Sequence, residues 1–409
     1  MQHLYHGQES VAGQVLQRDG SSMQVDTLPQ EDFYRSPSSK LRIFLGNIRG
    51  IDALIIFAVI AARYFIQDIG GTLITACCMC FVLLTIMAKI ICYVLPVYGF
   101  RFIGRAILIF LLGIAYFMPL HQIDLIMAML LAIALCDMTV EDSFEYAGYV
   151  SSVLFAIQLS LYKFGLIVDK MQWDRYDEDI AVSARRAIGF GHPNFVGLFV
   201  FPVLVAFLVS KRKTSRIYFG VIGLAYAYIT YKYTDSRTFF YTAIVILFFG
   251  LIRDVFAKSL FCAKCLILAV PVTVGATFAL AIWGSSNYSL SLLLSGRPYL
   301  WNRIISREMP RLYGPTGSIK AYYQQGKSID NIWMHLFYVY GILITLIIIV
   351  LLCYFLNKCV SDGHVYLALV AVAYLIYGLM EHHLFDYGYS VFPIILFAPF
   401  FNSSWLRED

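Results

Sequence analysis

At 409 residues, with 60% hydrophobic and only 14% charged side chains and a mean hydropathy of +0.71, the chain has too little polar surface to fold as a soluble globular protein. The formal charge of +5 and pI near 8.6 suit a membrane protein whose cytoplasmic loops are rich in Lys and Arg, and do not by themselves imply nucleic acid. Nine cysteines, an odd number, lie mostly within apolar runs, which argues against a disulfide framework. Cys262 and Cys265 form a C-x-x-C, but no second Cys or His pair accompanies them as a zinc site requires.

In chain order, residues 1 to 45 are polar, contain Pro29 and Pro37, and hold no apolar core of signal-peptide length, so a disordered cytoplasmic extension is expected there. From there about twelve apolar runs follow, at roughly 51–67, 71–94, 102–120, 123–136, 145–168, 190–210, 216–231, 238–252, 260–281, 332–357, 364–380 and 388–402. The fourth and eighth are short for a span. The expected fold is all-α, a polytopic integral membrane protein of about twelve transmembrane helices. It divides into an extension over 1–45, nine helices over 46–281, an exoplasmic loop over 282–331, and three helices with a cytoplasmic tail over 332–409.

Orientation follows from positive charge in the short connections. With both termini cytoplasmic, the inner segments hold Arg101, Arg105, Lys211, Arg212, Lys213, Arg253 and Lys358. The outer segments then break the rule: 169–189 carries Arg185 and Arg186, 232–237 carries Lys232 and Arg237, and the long loop carries Arg297, Arg303, Arg307, Arg311, Lys320 and Lys327. Positive charge held against the insertion bias would line an outer cavity suited to an anion such as phosphate. Ordinary loop charge beside lipid headgroups is the plainer alternative.

Five stretches carry polar groups at the membrane edge. Gly189-Phe190-Gly191-His192-Pro193-Asn194 opens the sixth run, so His192 and Asn194 either meet a polar ligand or serve a helix start with proline in its first turn. Asp235-Ser236-Arg237-Thr238 precedes the eighth run; Ser236 and Arg237 suit a phosphate at a helix start, or Asp235 and Arg237 form a surface pair. Gly296-Arg297-Pro298-Tyr299-Leu300-Trp301 opens the long loop, with Trp301 either stacking on a sugar or standing as an interfacial belt residue. Asp330 and Asn331 close that loop one helical turn before His335; Asp330 is a candidate general base, and either it or Asn331 is equally a helix N-cap. Glu381, His382 and His383 end the eleventh run. Adjacent histidines cannot readily chelate one ion from one helix face, so hydrogen bonding beside a site is expected, not metal.

The order G-F-G-H-P-N, S-R-T, S-G-R-x-x-L-W and D-N, over roughly residues 180 to 390, resembles the Wzy-type polysaccharide polymerases of the O-antigen ligase and polymerase superfamily. The resemblance implies a GT-C-like membrane glycosyltransferase that is metal-independent and needs no cofactor. Its donor and acceptor would be undecaprenyl-diphosphate-linked oligosaccharide repeat units, joined on the outer face of the bacterial cytoplasmic membrane for O-antigen, capsule or exopolysaccharide, beside a flippase and a chain-length regulator. It implies that Arg237 and Arg297 hold the lipid diphosphate and that Asp330 stands where related ligases carry a histidine. Arg186, His192, Asn194, Ser236, Trp301, Asn331, His335, Glu381 and His382 would line the substrate. A ligase-like glycan transferase and a lipid-linked oligosaccharide flippase are the alternatives.

Overall fold

A computed structural model describes residues 52 to 401, apart from 53, 62–71, 121–123, 137, 168, 170, 174–183, 295, 325–328 and 386–391. The expected extension over 1–45 and Lys327 of the long loop lie outside the described residues. The described chain is helical almost throughout. Its helices are α1 (Thr72–Lys89), α2 (Leu95–Leu120), α3 (Asp124–Ala134), α4 (Val140–Lys163), α5 (Pro193–Val209), α6 (Lys213–Thr234), α7 (Arg237–Lys258), α8 (Leu260–Cys265) and α9 (Ala269–Ser286). The long loop folds as α10 (Tyr288–Leu293), α11 (Arg297–Arg307) and α12 (Gly317–Gln324), and α13 (Ile332–His335), α14 (Ile342–Ser361), α15 (Val365–Gly378) and α16 (Phe392–Phe401) complete the chain.

Three helical segments are both long and apolar enough to cross a membrane: Arg237–Lys258, Leu260–Ser286 and Ile342–Ser361. Among the described residues, three segments of the twelve expected runs meet both conditions. The fourth run yields the 11-residue α3, whereas the eighth, short in sequence, extends to 22 residues because its helix takes in Arg237 and the charged end to Lys258. Side chains such as Phe248, Leu251, Val272, Trp283, Leu346 and Val350 stand exposed on these segments. In water each would forgo about 1.5–3 kcal/mol of burial, so this surface fits lipid.

At the centre lies α5, apolar on every side, in which only Asn194 and Phe195 escape full burial. A helix without a polar face has to be covered all round. Helices α4, α6, α7 and α15 pack on it. Gly148 of α4 sits against Ala206, and Gly250 of α7 against the Phe207 ring; a side chain at either glycine would collide with these groups. Buried Arg253 satisfies the far end, donating from Nη1 to the carbonyls of Leu208 at 2.7 Å and Ser210 at 3.1 Å. That anchoring leaves the two less buried residues of α5 at its opposite, N-terminal end.

The mostly helical chain fits the all-α expectation, with two local irregularities. Within the outer segment 169–189, β1 (Met171–Trp173) pairs antiparallel with β2 (Ala184–Arg186), Gln172 opposite Arg185. The tenth run is also not one helix. It breaks at Gly341 (φ 91°), where a Cβ would come within 2.7 Å of Tyr313 Cα and 2.8 Å of the Leu312 carbonyl oxygen. The loop segment 311–314 lies along the break: Ile342 N–H donates to the Arg311 carbonyl at 2.9 Å, Leu343 N–H to the Leu312 carbonyl at 3.0 Å, and Gly314 N–H to the Tyr340 carbonyl at 3.1 Å. Backbone groups freed by a break at membrane depth must find partners inside the protein, and here the long loop provides them.

Candidate functional site

Four helix N-termini meet loop residues at one end of the bundle. Helix α5 starts at His192, α7 at Ser236, α11 at Gly296 and α13 at Asn331. Gly296 adopts φ 73°, which turns the chain into α11 and sends the next side chain, Arg297, inward. Helix starts carry partial positive charge from unpaired N–H groups and favour anions.

Arg297 is the hub. Its side chain is 11% exposed; Nη1 donates to Thr238 Oγ1 at 3.1 Å, and Nη2 donates to Glu381 Oε1 at 3.2 Å and Asp330 Oδ2 at 3.4 Å. One guanidinium thus ties α7, α11, the end of the long loop and the loop after α15. Burial works against its charge, but the carboxylates of Glu381 and Asp330 outweigh that effect and raise its pKa.

The two carboxylates differ. Glu381 is 3% exposed, and burial raises its pKa to about 7 despite the opposing pull of Arg297. Asp330 keeps 33% of its side chain accessible. Burial pushes it up too, but His382 and Arg297 prevail and hold it well below the usual carboxylate range. Near neutral pH the pair therefore comprises one fixed anion and one carboxyl poised to gain or lose a proton, which is how paired acids divide roles in catalytic sites.

A polar chain extends from Glu381. Asn194 Nδ2 donates to Glu381 Oε1 at 3.0 Å, Arg185 Nη2 donates to Asn194 Oδ1 at 3.0 Å, and Arg185 Nε donates to the Thr234 carbonyl at 2.8 Å. On the other flank His382 Nδ1 lies 3.5 Å from Asp330 Oδ1, and its ring centre is 4.9 Å from that of His335 and 3.8 Å from that of His383. His335 Nδ1 shares a 2.6 Å hydrogen bond with Tyr323 Oη of α12. Among the described residues no three His, Cys, Asp or Glu side chains assemble as a possible metal site.

The cluster gathers Arg297, Asp330, Asn194, Glu381, His335 and His382 from the sequence candidates, with His192 close enough to interact with Arg185, Asp330 and Arg297; the rest sit elsewhere or do structural work. Asn331 is wholly buried: its Oδ1 caps α13 through the N–H groups of Trp333 and Met334, both at 2.9 Å, and Nδ2 donates to the Leu379 carbonyl at 2.8 Å and Thr277 Oγ1 at 3.1 Å. His192 Nδ1 accepts from the Asn194 N–H at 3.1 Å, so it caps α5. Trp301 is fully buried in the packing of α11, with no face open to a ligand. Ser236 is buried and its backbone N–H donates to Thr234 Oγ1. Arg237, 47% exposed, pairs with Asp235 at 3.3 Å, the surface arrangement left open from the sequence.

Arg186 is exposed and donates to Tyr162 Oη at 3.1 Å, while its neighbour Arg185 enters the cluster. Alternation along β2 sends successive side chains to opposite faces, a signal visible only once the ribbon is known. Thr238 follows Arg237 and differs from it by one helical position. Tyr323 carried no signal at all, since the chain has 29 tyrosines.

The fold and site define a helical, membrane-type protein with a buried arginine–carboxylate centre where several helix N-termini converge. No protein family, curated protein or solved structure matches the chain.

Proposed function

We propose that the chain is a Wzy-type polysaccharide polymerase, joining undecaprenyl-diphosphate-linked oligosaccharide repeat units on the outer face of the cytoplasmic membrane. The observation that supports this most is buried Arg297, held between Asp330 and Glu381 beside the start of α7. A guanidinium so placed offers forked donors to a diphosphate, and the start of α7, which no side chain caps, adds N–H groups for the same charge.

In this reading the donor diphosphate draws Arg297 away from the carboxylates. Arg237, tied only to Asp235 at the surface, turns in as the second cation. Losing the guanidinium makes Asp330 more basic, so donor binding itself prepares the proton acceptor. The acceptor hydroxyl then attacks the anomeric carbon, the bond from that carbon to the diphosphate oxygen breaks, the lipid diphosphate leaves with the electron pair, and Asp330 takes the hydroxyl proton. The result is one displacement with inversion. Charge growing on the departing diphosphate is stabilised by arginine without a divalent ion.

The test is the purified protein with lipid-linked repeat units in a chelating buffer. A ladder of glycans is expected, and both Arg297→Ala and Arg237→Ala should abolish it while the protein remains in the membrane. A single addition product would indicate a ligase-like transferase instead. Substrate crossing the bilayer with no new glycosidic bond would indicate the flippase and overturn the proposal.

A further inference from the structure

Apart from the arginine–carboxylate centre, the long loop forms a cleft of its own. Helices α11 and α12 face each other across a cavity of about 400 Å³. Its floor is apolar, with Ile304 9% and Ile319 4% exposed. Its rim is not: Arg303 and Arg307, one helical turn apart on the same side of α11, line it with Glu308, and Tyr322 faces them from α12. One Glu308 carboxylate oxygen is shielded from solvent and takes no hydrogen bond from any described residue. A buried acceptor without a donor is costly, and a ligand hydroxyl would relieve it after a small turn of the carboxylate.

We propose that this cleft binds an acidic sugar residue of the glycan. The chemistry is read from the lining. Two guanidiniums against one carboxylate leave a net positive rim, which selects an anion, and a planar sugar carboxylate matches the guanidinium fork. Glu308 accepts from sugar hydroxyls, which an acyl chain does not have. Tyr322 and the isoleucine floor receive the apolar face of a pyranose ring. The volume lies in the range of small-ligand sites and admits one or two sugar rings, not an extended lipid tail. This assignment rests on the polymerase reading and deepens it: the catalytic centre would act on the diphosphate end of one repeat unit while the cleft holds sugars of the glycan. Its link to the centre is physical, because Tyr323, next to Tyr322 on α12, bonds His335 of the cluster.

The experiment uses the full chain in detergent micelles and two probes, a uronic-acid-containing disaccharide and the same disaccharide with its carboxyl reduced to an alcohol, followed by saturation-transfer NMR. The acidic probe should bind saturably and the neutral one at least about tenfold more weakly. Arg303→Ala/Arg307→Ala, both exposed positions, should weaken the acidic probe by about tenfold or more, and Ser318→Trp, which fills the cleft, should abolish its binding. Equal binding of both probes, or binding unaffected by these variants, would overturn the proposal. So would loss of anionic-lipid binding in the double variant with no competition from the acidic disaccharide, since the arginines would then serve headgroups. Glycan ladders from a protein that does not bind the acidic probe would sink the cleft alone. Acidic-probe binding by a protein that makes no ladder would sink the polymerase and leave a sugar-binding cleft.

Discussion

Arg297→Ala gives the sharpest test of the charge arrangement, because its effect on stability has to change with pH. In the wild type, burial holds Glu381 at about 7 against an ordinary 4.5. Between those values the folded protein keeps a proton that the unfolded chain has released, so stability falls as pH rises through this window. Above it Glu381 is ionised in both states and contributes no further slope. Removing Arg297 takes away the attraction that limits the shift, so the folded pKa climbs further and stability goes on falling above neutral pH, by up to about 1.4 kcal/mol per pH unit. Asp330, which also loses Arg297 but keeps His382, moves in the same direction. Below about pH 6 the variant should lose only the hydrogen bonds to Thr238, Asp330 and Glu381, on the order of a few kcal/mol in total. Asp330, His383 and Arg185 also act on Glu381 and are present in both proteins, so the difference between them isolates Arg297. Thermal unfolding of both detergent-solubilised proteins from about pH 5 to pH 9 reads this directly. Curves that stay parallel above neutral pH would refute the coupling.

Asn331→Ala removes a cap and orphans the partly buried Leu379 carbonyl, so a loss of about 2 kcal/mol is expected as a lowered melting temperature, whatever becomes of activity. Gly341→Ala should cost more than Gly363→Ala: both glycines have positive φ, but a methyl meets the backbone of Tyr313 at the first and nothing within 4 Å at the second, and matched melting curves would compare them. Arg185→Ala should lower polymer yield at least about tenfold by releasing Asn194 and Glu381, while Arg186→Ala stays near wild type; the reverse ranking would show that the ribbon faces the other way. Arg237→Ala should leave stability within about 1 kcal/mol of wild type, with little change in melting temperature, because its ion pair with Asp235 is solvent-accessible.

The membrane character of the chain was legible in the sequence because it is a matter of composition, which no fold can change. The helical runs were legible too, though their lengths were not. Hydropathy cannot tell a span from an apolar helix enclosed by others, and α5 is the case in point: it is apolar on all sides because protein surrounds it, yet only 17 residues long. The break at Gly341 was hidden for a related reason. The residues around it are as apolar as a span, and only the loop segment 311–314, distant in sequence, supplies the hydrogen bonds that make the break affordable.

At the site, the sequence by itself determined which stretches carry polar groups at helix starts, since glycine, proline and capping residues mark those positions locally. Tertiary structure alone decided their division of labour. Asn331 and Asp330 are neighbours with the same cap-forming chemistry, but the position of α9 and the end of α15 commits Asn331 to Thr277 and Leu379, leaving Asp330 to Arg297 and His382. Arg185 and Arg186 are chemically identical, and the alternation of a three-residue strand separates them. Burial at Glu381 and the His382 contact at Asp330, not residue type, set the two acids apart. Hydrogen-bond partners and solvent exposure belong to the assembled chain, and they convert a row of candidate residues into one arginine shared by two unequal acids.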